Sequence, residues 1–216
     1  LISCPDKKEA VLIDPVIETI ERDLHILKSL GLKLTHAIDT HIHADHVTSA
    51  SALREITNCK VAGPANDNLK CRDINFRDKD SLTLGASLKI KAFHTPGHTD
   101  THFSYVLEHN KRKILFSGDA LLIDACGRTD FQSGSSKELF NTIKKFFYLM
   151  PDDTKVYPAH DYNNKSCSTI FHQKKDNSLI DYNINLKNFV QKMNDLKLDK
   201  PKKIDIAVPK NNKCGS

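Results

Sequence analysis

The stretch His41-Ile42-His43-Ala44-Asp45-His46 is the most informative part of this sequence. Within these six residues lie three imidazole rings and one carboxylate, more ligand-type groups than a core or an ordinary surface requires. Imidazole nitrogen and carboxylate oxygen together suit zinc, iron or manganese, whereas calcium prefers oxygen ligands alone. The stretch therefore predicts a transition-metal site; the alternative is a polar loop that binds nothing.

The predicted secondary structure places this stretch where metal sites are commonly built. Residues 34–39 read as a β-strand before it, and residues 47–56 read as a helix after it. Three more predicted strands also lead into a ligand-type residue: 87–93 into His98, 113–117 into Asp119 and 155–157 into His160. Loops that follow strands carry the chemistry of many α/β scaffolds. If these strand ends share one edge, seven ligand-type side chains converge there.

The remaining sequence predicts strands and helices that are interspersed without strict alternation. Apolar residues recur at helical spacing from Ile17 to Leu27. Ser135 and Glu138 form a capping box that predicts the start of a second helix. Residues 186–196 predict an amphipathic helix. No GxGxxG is present, so a hairpin-rich sheet system covered by helices fits better than a Rossmann fold. The polar tail after this last helix contains Pro201 and Pro209 and is expected to be extended or loosely packed.

Length and composition limit the functional classes. The 216 residues suit one domain over residues 1–216, and no apolar run approaches the roughly 18 residues that span a bilayer. A net charge of +5 favours anionic small molecules more than nucleic acid. The six cysteines are scattered and form no CxxC pair. A chain of this length does not need disulfides, so we expect a reducing, intracellular setting.

The order HxHxDH, Gly-His, Gly-Asp and a last His resembles the metallo-β-lactamase superfamily. That resemblance implies an α+β fold, an αββα sandwich with the metal site on one edge of the two sheets. Segments 10–16, 40–46, 118–123, 126–132 and 157–162 look like those of the persulfide dioxygenases. Arg128-Thr129-Asp130-Phe131 separates this family from glyoxalase II. The family's first strand is expected to be truncated here, because only nine residues precede Ala10.

The resemblance also assigns roles to individual residues. The family's iron ligands fall on His41, His98 and Asp119, a facial triad that would hold one Fe(II) per chain with positions open for dioxygen and sulfur. Four other residues would line the second metal position of the hydrolases and act here as outer hydrogen-bonding groups: His43, Asp45, His46 and His160. Tyr162 would hydrogen-bond a metal-bound ligand, or it is a core tyrosine.

Two further residues are candidates for substrate contacts. Arg128 has a guanidinium suited to a substrate carboxylate, but an internal salt bridge to Asp130 is slightly favoured. Cys126 could contact a sulfur substrate, although small buried cysteines are common, and that alternative is favoured. Six histidines without a partner pattern are expected to be structural or exposed: His25, His36, His94, His102, His109 and His172.

The function implied by the resemblance is Fe(II)-dependent oxidation of glutathione persulfide by O2 to sulfite and glutathione, in sulfide catabolism. The first alternative is a dinuclear zinc hydrolase acting on a glutathione thioester, which would use all seven ligand-type residues. The second is a non-enzymatic or nucleic-acid-processing member, for which no concentrated basic surface is visible. The lack of a long apolar run predicts no membrane partner. By the resemblance we expect a homodimer, and a mitochondrial location in a eukaryote or a cytoplasmic one in a bacterium.

Overall fold

The computed structural model of the protein describes residues 1–160, 162 and 164–216. Asp161, which belongs to the predicted element 157–162, therefore lies outside the described residues. Along the chain, the strands and helices are β1 (Ile2–Cys4), β2 (Glu9–Ile13), α1 (Ile20–Ser29), β3 (Lys33–Ile38), α2 (Ala50–Thr57), β4 (Lys60–Pro64), β5 (Ile74–Phe76), β6 (Ser81–Leu84), β7 (Leu88–His94), β8 (Phe103–His109), β9 (Arg112–Gly118), α3 (Ser136–Lys145), β10 (Lys155–Pro158), β11 (Ser168–Thr169), α4 (Ile170–Asp176), α5 (Leu186–Asp195) and α6 (Ile204–Asn211).

The chain divides into two compact units. Unit 1 contains Leu1–Ile90 and Asp199–Ser216, and unit 2 contains Lys91–Leu198. The expectation of one domain over residues 1–216 stays a prediction. None of the helices in the described residues is long and apolar enough to cross a bilayer.

Unit 1 is built on a five-stranded sheet with the order β1-β2-β3-β4-β5. Strands β2 to β5 are parallel, and β1 pairs antiparallel with β2 as a three-residue edge strand. Ala10, Ala37 and Val61 are fully buried in this sheet. They pack against Leu27 of α1 and Leu53 of α2, as expected for parallel strands with covered faces.

The mixed sheet of unit 2 has its strands in the order β11-β10-β9-β8-β7, and Lys91–His94 is the part of β7 that belongs to this unit. Strands β8 and β9 form the predicted hairpin, β10 runs parallel to β9, and β11 is antiparallel to β10. Helix α3 begins as its capping box predicts, with the Ser135 hydroxyl accepting the Glu138 N–H at 3.3 Å. Leu139 and Ile143 of this helix then pack on Phe189 of α5 in the core.

The polar tail differs from its prediction. We expected residues after Leu196 to be extended or loosely packed, but Ile204–Asn211 is a helix with Pro209 inside it. Proline removes one backbone donor, which a helix of eight residues tolerates when other contacts hold it. Those contacts are long-range: the Asn211 side chain bonds to the backbone of residues 43, 46 and 48, which no local pattern indicates.

The cysteines also differ from their prediction, because Cys71 and Cys214 form a disulfide across a sequence separation of 143 residues. The expectation of an all-thiol chain was based on length and on the lack of a CxxC pair, and neither reports which distant cysteines meet. Here the fold of unit 1 brings the two Cα atoms to 6.0 Å. The other four cysteines are free.

Candidate metal centre

In unit 1, the predicted metal-binding stretch follows β3 and precedes α2. The rings of His41 and His43 lie 4.1 Å apart between centroids, and those of His43 and His46 lie 4.2 Å apart. His43, Asp45 and His46 each offer a ligand atom, and these atoms lie within 4.8 Å of one another. Unit 1 therefore brings three of the predicted residues into one cluster, with His41 against it.

A carboxylate after the neighbouring strand orients His41. Asp14 follows β2, which is parallel to β3, so Asp14 lies beside Thr40. The Asp14 carboxylate accepts the Thr40 N–H at 2.6 Å and the Thr40 hydroxyl at 3.0 Å. Because a carboxylate only accepts, the Thr40 oxygen is left to accept from His41 Nδ1 at 2.9 Å. His41 is therefore held in the tautomer with its proton on Nδ1, in which Nε2 is the nitrogen that can act as a metal ligand.

The same carboxylate gives His43 a different role. His43 Nε2 donates to Asp14 Oδ1 at 3.0 Å. Burial alone would lower the pKa of His43, but the charge and hydrogen bond of Asp14 raise it to about 9. Burial alone would raise the pKa of Asp14, but the charge and hydrogen bond of His43 and the Thr40 N–H lower it. His43 and Asp14 thus form a buried ion pair, and the Nε2 that faces Asp14 is engaged.

Two buried nitrogen atoms of this cluster fit a metal ion. His46 Nδ1 lies 3.0 Å from Asp45 Oδ2. The second nitrogen of that ring is Nε2. Among the described residues, His46 Nε2 and His43 Nδ1 are buried without a hydrogen-bond partner. Buried polar atoms rarely lack a partner, and a coordinated cation would provide one. The donor set of imidazole and carboxylate is that of zinc, iron or manganese.

Unit 2 gathers His98, Asp119 and His160. His98 Nε2 lies 3.5 Å from one carboxylate oxygen of Asp119, and His160 Nε2 lies 3.5 Å from the other. These separations exceed an ordinary hydrogen bond and match the roughly 3.4 Å between ligand atoms on a metal with bonds of about 2.1 Å. His98 Nδ1 lies 2.8 Å from the Arg128 carbonyl oxygen, so Nδ1 carries the ring proton and Nε2 is the nitrogen that faces Asp119.

His102, which the sequence grouped with structural histidines, supports Asp119 from behind. The Asp119 N–H donates to His102 Nε2 at 3.2 Å, so the ring proton lies on Nδ1 and donates to the Thr95 hydroxyl at 2.9 Å. Thr95 lies 2.9 Å from the Ser104 hydroxyl, which donates to the Ser117 carbonyl. The available signal was the position of His102 directly before a buried strand, where a polar ring must be hydrogen-bonded.

Gly127 lets unit 2 close around these ligands. A Cβ at this position would overlap the Asp119 carbonyl oxygen and would lie 2.9 Å from His98 Nδ1. The chain therefore passes behind both candidate ligands at a distance that only glycine permits. A side chain here would push directly on the two residues.

The candidate substrate residues are placed as follows. Arg128 pairs with both carboxylate oxygens of Asp130 at 2.7 and 2.8 Å. This is the internal salt bridge that the sequence slightly favoured. A polar cavity of about 530 Å³ lies beside Arg128. Cys126 is buried in the core with Sγ 3.7 Å from Met193 Sδ, and burial raises its pKa to about 12. We assign Cys126 to packing. Tyr162 is 73% exposed and stacks on His160; its catalytic role stays a prediction.

Comparisons with known proteins identify the family. Residues 1–160 match the metallo-beta-lactamase superfamily. Persulfide dioxygenase ETHE1 of Homo sapiens is 40% identical over 217 residues, covering 100% of this chain and 83% of that protein. The chain belongs to the persulfide dioxygenase family. The crystal structure of ETHE1 from Myxococcus xanthus is 41% identical with a TM-score of 0.94, covering 100% of this chain and 93% of that one.

Family membership confirms the predicted α+β class and the metallo-β-lactamase fold, with two mixed sheets and helices. This is a metal-binding fold, and the His and Asp clusters of the persulfide dioxygenase chain fit a metal site. A more distant relative, hydroxyacylglutathione hydrolase of Polaromonas sp., is 30% identical, covering 82% of this chain and 67% of that protein. The superfamily therefore includes both of the enzymatic functions that the sequence left open.

Proposed function

We propose that this chain is a non-haem iron dioxygenase that oxidises glutathione persulfide in sulfide catabolism. One persulfide, one O2 and one water give one glutathione, one sulfite and two protons. The observation that carries this function is the 40% identity to a persulfide dioxygenase along the whole chain. The hydrolase relative is 30% identical over a shorter stretch. The net charge of +5 is compatible with an anionic thiol substrate.

The metal of this enzyme is one Fe(II), held by His41, His98 and Asp119. Two imidazoles and one carboxylate form the ligand set of non-haem Fe(II) oxygenases. Both histidines present Nε2, because Thr40 holds Nδ1 of one and the Arg128 carbonyl holds Nδ1 of the other. When bound, Fe(II) supplies activation of dioxygen and a coordination position for the persulfide sulfur.

The surrounding residues orient the ligands and limit the number of metals. His102 fixes the backbone at Asp119, and Asp14 retains His43 in an ion pair that competes with coordination. His160 and Tyr162 stack with ring centroids 5.6 Å apart, and the Tyr162 hydroxyl would donate a hydrogen bond to a ligand on the iron. Arg128 acts through its carbonyl oxygen and not through a substrate carboxylate, because Asp130 already occupies its guanidinium.

A dinuclear metal hydrolase is the second candidate, and one observation favours it. His46 Nε2 is buried without a hydrogen-bond partner in the described part of the chain, and it lies in a cluster with Asp45 that suits a second ion. A second metal would take the position that the resemblance assigns to His43, Asp45, His46 and His160. Hydrolysis of a glutathione thioester by two zinc ions would then follow.

Oxygen uptake and thioester cleavage separate the two functions. Anaerobically iron-loaded protein should consume one O2 per glutathione persulfide and release sulfite, and zinc-loaded protein should not cleave S-lactoylglutathione. His98→Ala should abolish oxygen uptake, whereas the matched control His109→Ala, at an exposed position of β8, should retain it. Thioester cleavage with two zinc ions per chain and no oxygen uptake would reverse the assignment.

Location and assembly complete the proposed function. The human relative is named as mitochondrial, and we assign the same compartment to this chain if it is eukaryotic. A homodimer is the expected assembly. Light scattering coupled to gel filtration measures the mass directly, and a mass near 24.3 kDa would contradict the dimer.

A further inference from the structure

The C-terminal helix of unit 1 contacts the backbone of the metal-binding stretch through one buried side chain. Asn211 is 4% exposed, and its Oδ1 accepts the Thr48 N–H at 2.9 Å. Its Nδ2 donates to the carbonyl oxygens of His43 at 2.9 Å and His46 at 2.8 Å. One amide therefore fixes three backbone groups, two carbonyls within the cluster and one N–H just after it, and uses both of its N–H donors.

The residues after Asn211 continue this contact. The Cys214 carbonyl accepts the Ser51 N–H at 3.1 Å, at the start of α2. Gly215 has a φ of +89°, and a Cβ there would overlap the Thr48 carbonyl oxygen. Residues 211–215 thus lie directly on residues 43–51, and no side chain intervenes at Gly215.

Apolar burial contributes little to the docking of this helix. Only Ala207 and Asn211 of α6 are buried, and Ile206 is 61% exposed. An eight-residue helix that buries one small apolar side chain is not held by the hydrophobic effect alone. The position of Asn211 must therefore depend on covalent or polar attachments nearby.

The Cys71–Cys214 disulfide is that attachment. Cys214 lies three residues after Asn211, and Cys71 lies between β4 and β5. The backbone at Cys71 is itself fixed, because Arg54 of α2 donates to its carbonyl oxygen at 2.8 Å. Cys71 is half-buried whereas Cys214 is 1% exposed, so a small thiol reaches the bond from the Cys71 side.

We propose that Asn211 is a positioning residue for the metal-binding stretch and that the Cys71–Cys214 disulfide is its thiol-sensitive latch. A low-molecular-weight thiol attacks one sulfur and releases the other cysteine as a thiol. A second thiol then attacks the mixed disulfide. The disulfide gains two electrons and two protons, and the two external thiols leave as their own disulfide. With the latch open, α6 detaches more often and the Asn211 hydrogen bonds to residues 43–48 are lost.

Hydrogen exchange of the full chain tests the latch without reference to any reaction. The protein is prepared oxidised and after reduction with a phosphine that is then removed, and exchange is followed at the amides of Thr48 and Ser51. We expect reduction to accelerate exchange at both amides about tenfold or more, because the two N–H groups donate to Asn211 and to the Cys214 carbonyl, which the latch holds in place. Zinc release to a chromophoric chelator should accelerate in parallel. A dioxygenase and a hydrolase would show the same behaviour.

Three variants make the outcome decisive. Cys71→Ser should exchange quickly with or without the phosphine. In Asn211→Ala, exchange at Thr48 should be fast in both states; if that variant does not fold, Cys71→Ser decides the outcome. In the control Cys167→Ser, in unit 2, the oxidised and reduced forms should still differ in their rates of amide exchange. Equal exchange rates at Thr48 and Ser51 in the oxidised and reduced forms, with the thiols of each form counted by mass spectrometry, would overturn the proposal. So would six free thiols in protein purified without reductant.

Discussion

Replacing Thr40 by valine tests whether a single hydroxyl orients His41 for metal binding. Valine has nearly the same shape and lacks the oxygen, so the change removes two hydrogen bonds and little volume. The lost bonds are the 2.9 Å contact with His41 Nδ1 and the 3.0 Å contact with Asp14 Oδ2. Thr40 is fully buried, so water does not replace the missing oxygen.

The magnitude follows from the burial and the charge of these partners. Removing one partner of a buried hydrogen bond costs about 1–3 kcal/mol, and the Asp14 end is ionised, which places the loss in the upper half of that range. The free energy of unfolding of metal-free T40V should fall by about 2–3 kcal/mol. Metal affinity should fall about 10–100-fold, which corresponds to roughly 1.4–2.8 kcal/mol, because His41 can then rotate or exchange its tautomer.

Two measurements check this prediction. Urea unfolding of the metal-free protein reports stability, and chelator competition with Fe(II) or Zn(II) reports affinity. Thr40→Ser is the matched control, since it keeps the hydroxyl and loses only a methyl group, and it should retain most of the affinity. If T40V bound metal as tightly as the wild type, His41 would not depend on the Thr40 hydroxyl and the tautomer argument would fail.

The remaining predictions concern unit 2. Gly127→Ala should lower stability by about 1–3 kcal/mol through overpacking and weaken metal binding, because its Cβ overlaps the carbonyl oxygen of Asp119; thermal unfolding and metal titration measure the two effects. His102→Phe replaces the imidazole by an apolar ring and removes both the acceptor of the Asp119 N–H and the donor to the Thr95 hydroxyl. The free energy of unfolding in urea should fall by about 1–3 kcal/mol, and unchanged stability would count against the network. Iodoacetamide at pH 8 should label Cys167, which is partly exposed, before Cys126, because the pKa of Cys126 near 12 keeps it a thiol; peptide mass spectrometry gives the order.

The strands and the ligand-type residues were predictable from the sequence because both are local signals. The strands predicted over 87–93 and 34–39 have bounds within 1 or 2 residues of the observed β7 and β3. The capping box at Ser135 identified the start of α3 because its hydrogen bond joins residues only three apart. The helix predicted over 47–56 begins at Ala50 instead, since residues 47–49 bond to other parts of the chain.

The groups that support these residues were not predictable, because their contacts cross long sequence separations. Asn211 and the His43 carbonyl are 168 residues apart, and Cys71 and Cys214 are 143 apart. Neither residue type carries a local signal: an asparagine in a polar tail reads as solvated surface, and two isolated cysteines read as thiols. Only the fold of unit 1 shows that the tail returns to the metal-binding stretch.

Asp14 shows why counting ligand-type residues cannot separate the two candidate enzymes. The HxH pattern presents His41 and His43 as equivalent, yet one carboxylate treats them oppositely. Through Thr40 it holds the His41 proton on Nδ1, and by direct contact it retains His43 as its ion-pair partner. Because His43 is charged in this pair, its Nδ1 carries a proton that a metal would have to displace, and the pair would lose its positive charge. His41 is held by Thr40 as a neutral ring and needs no such deprotonation. A sequence can therefore carry every ligand of a dinuclear site while its outer hydrogen bonds favour a single ion.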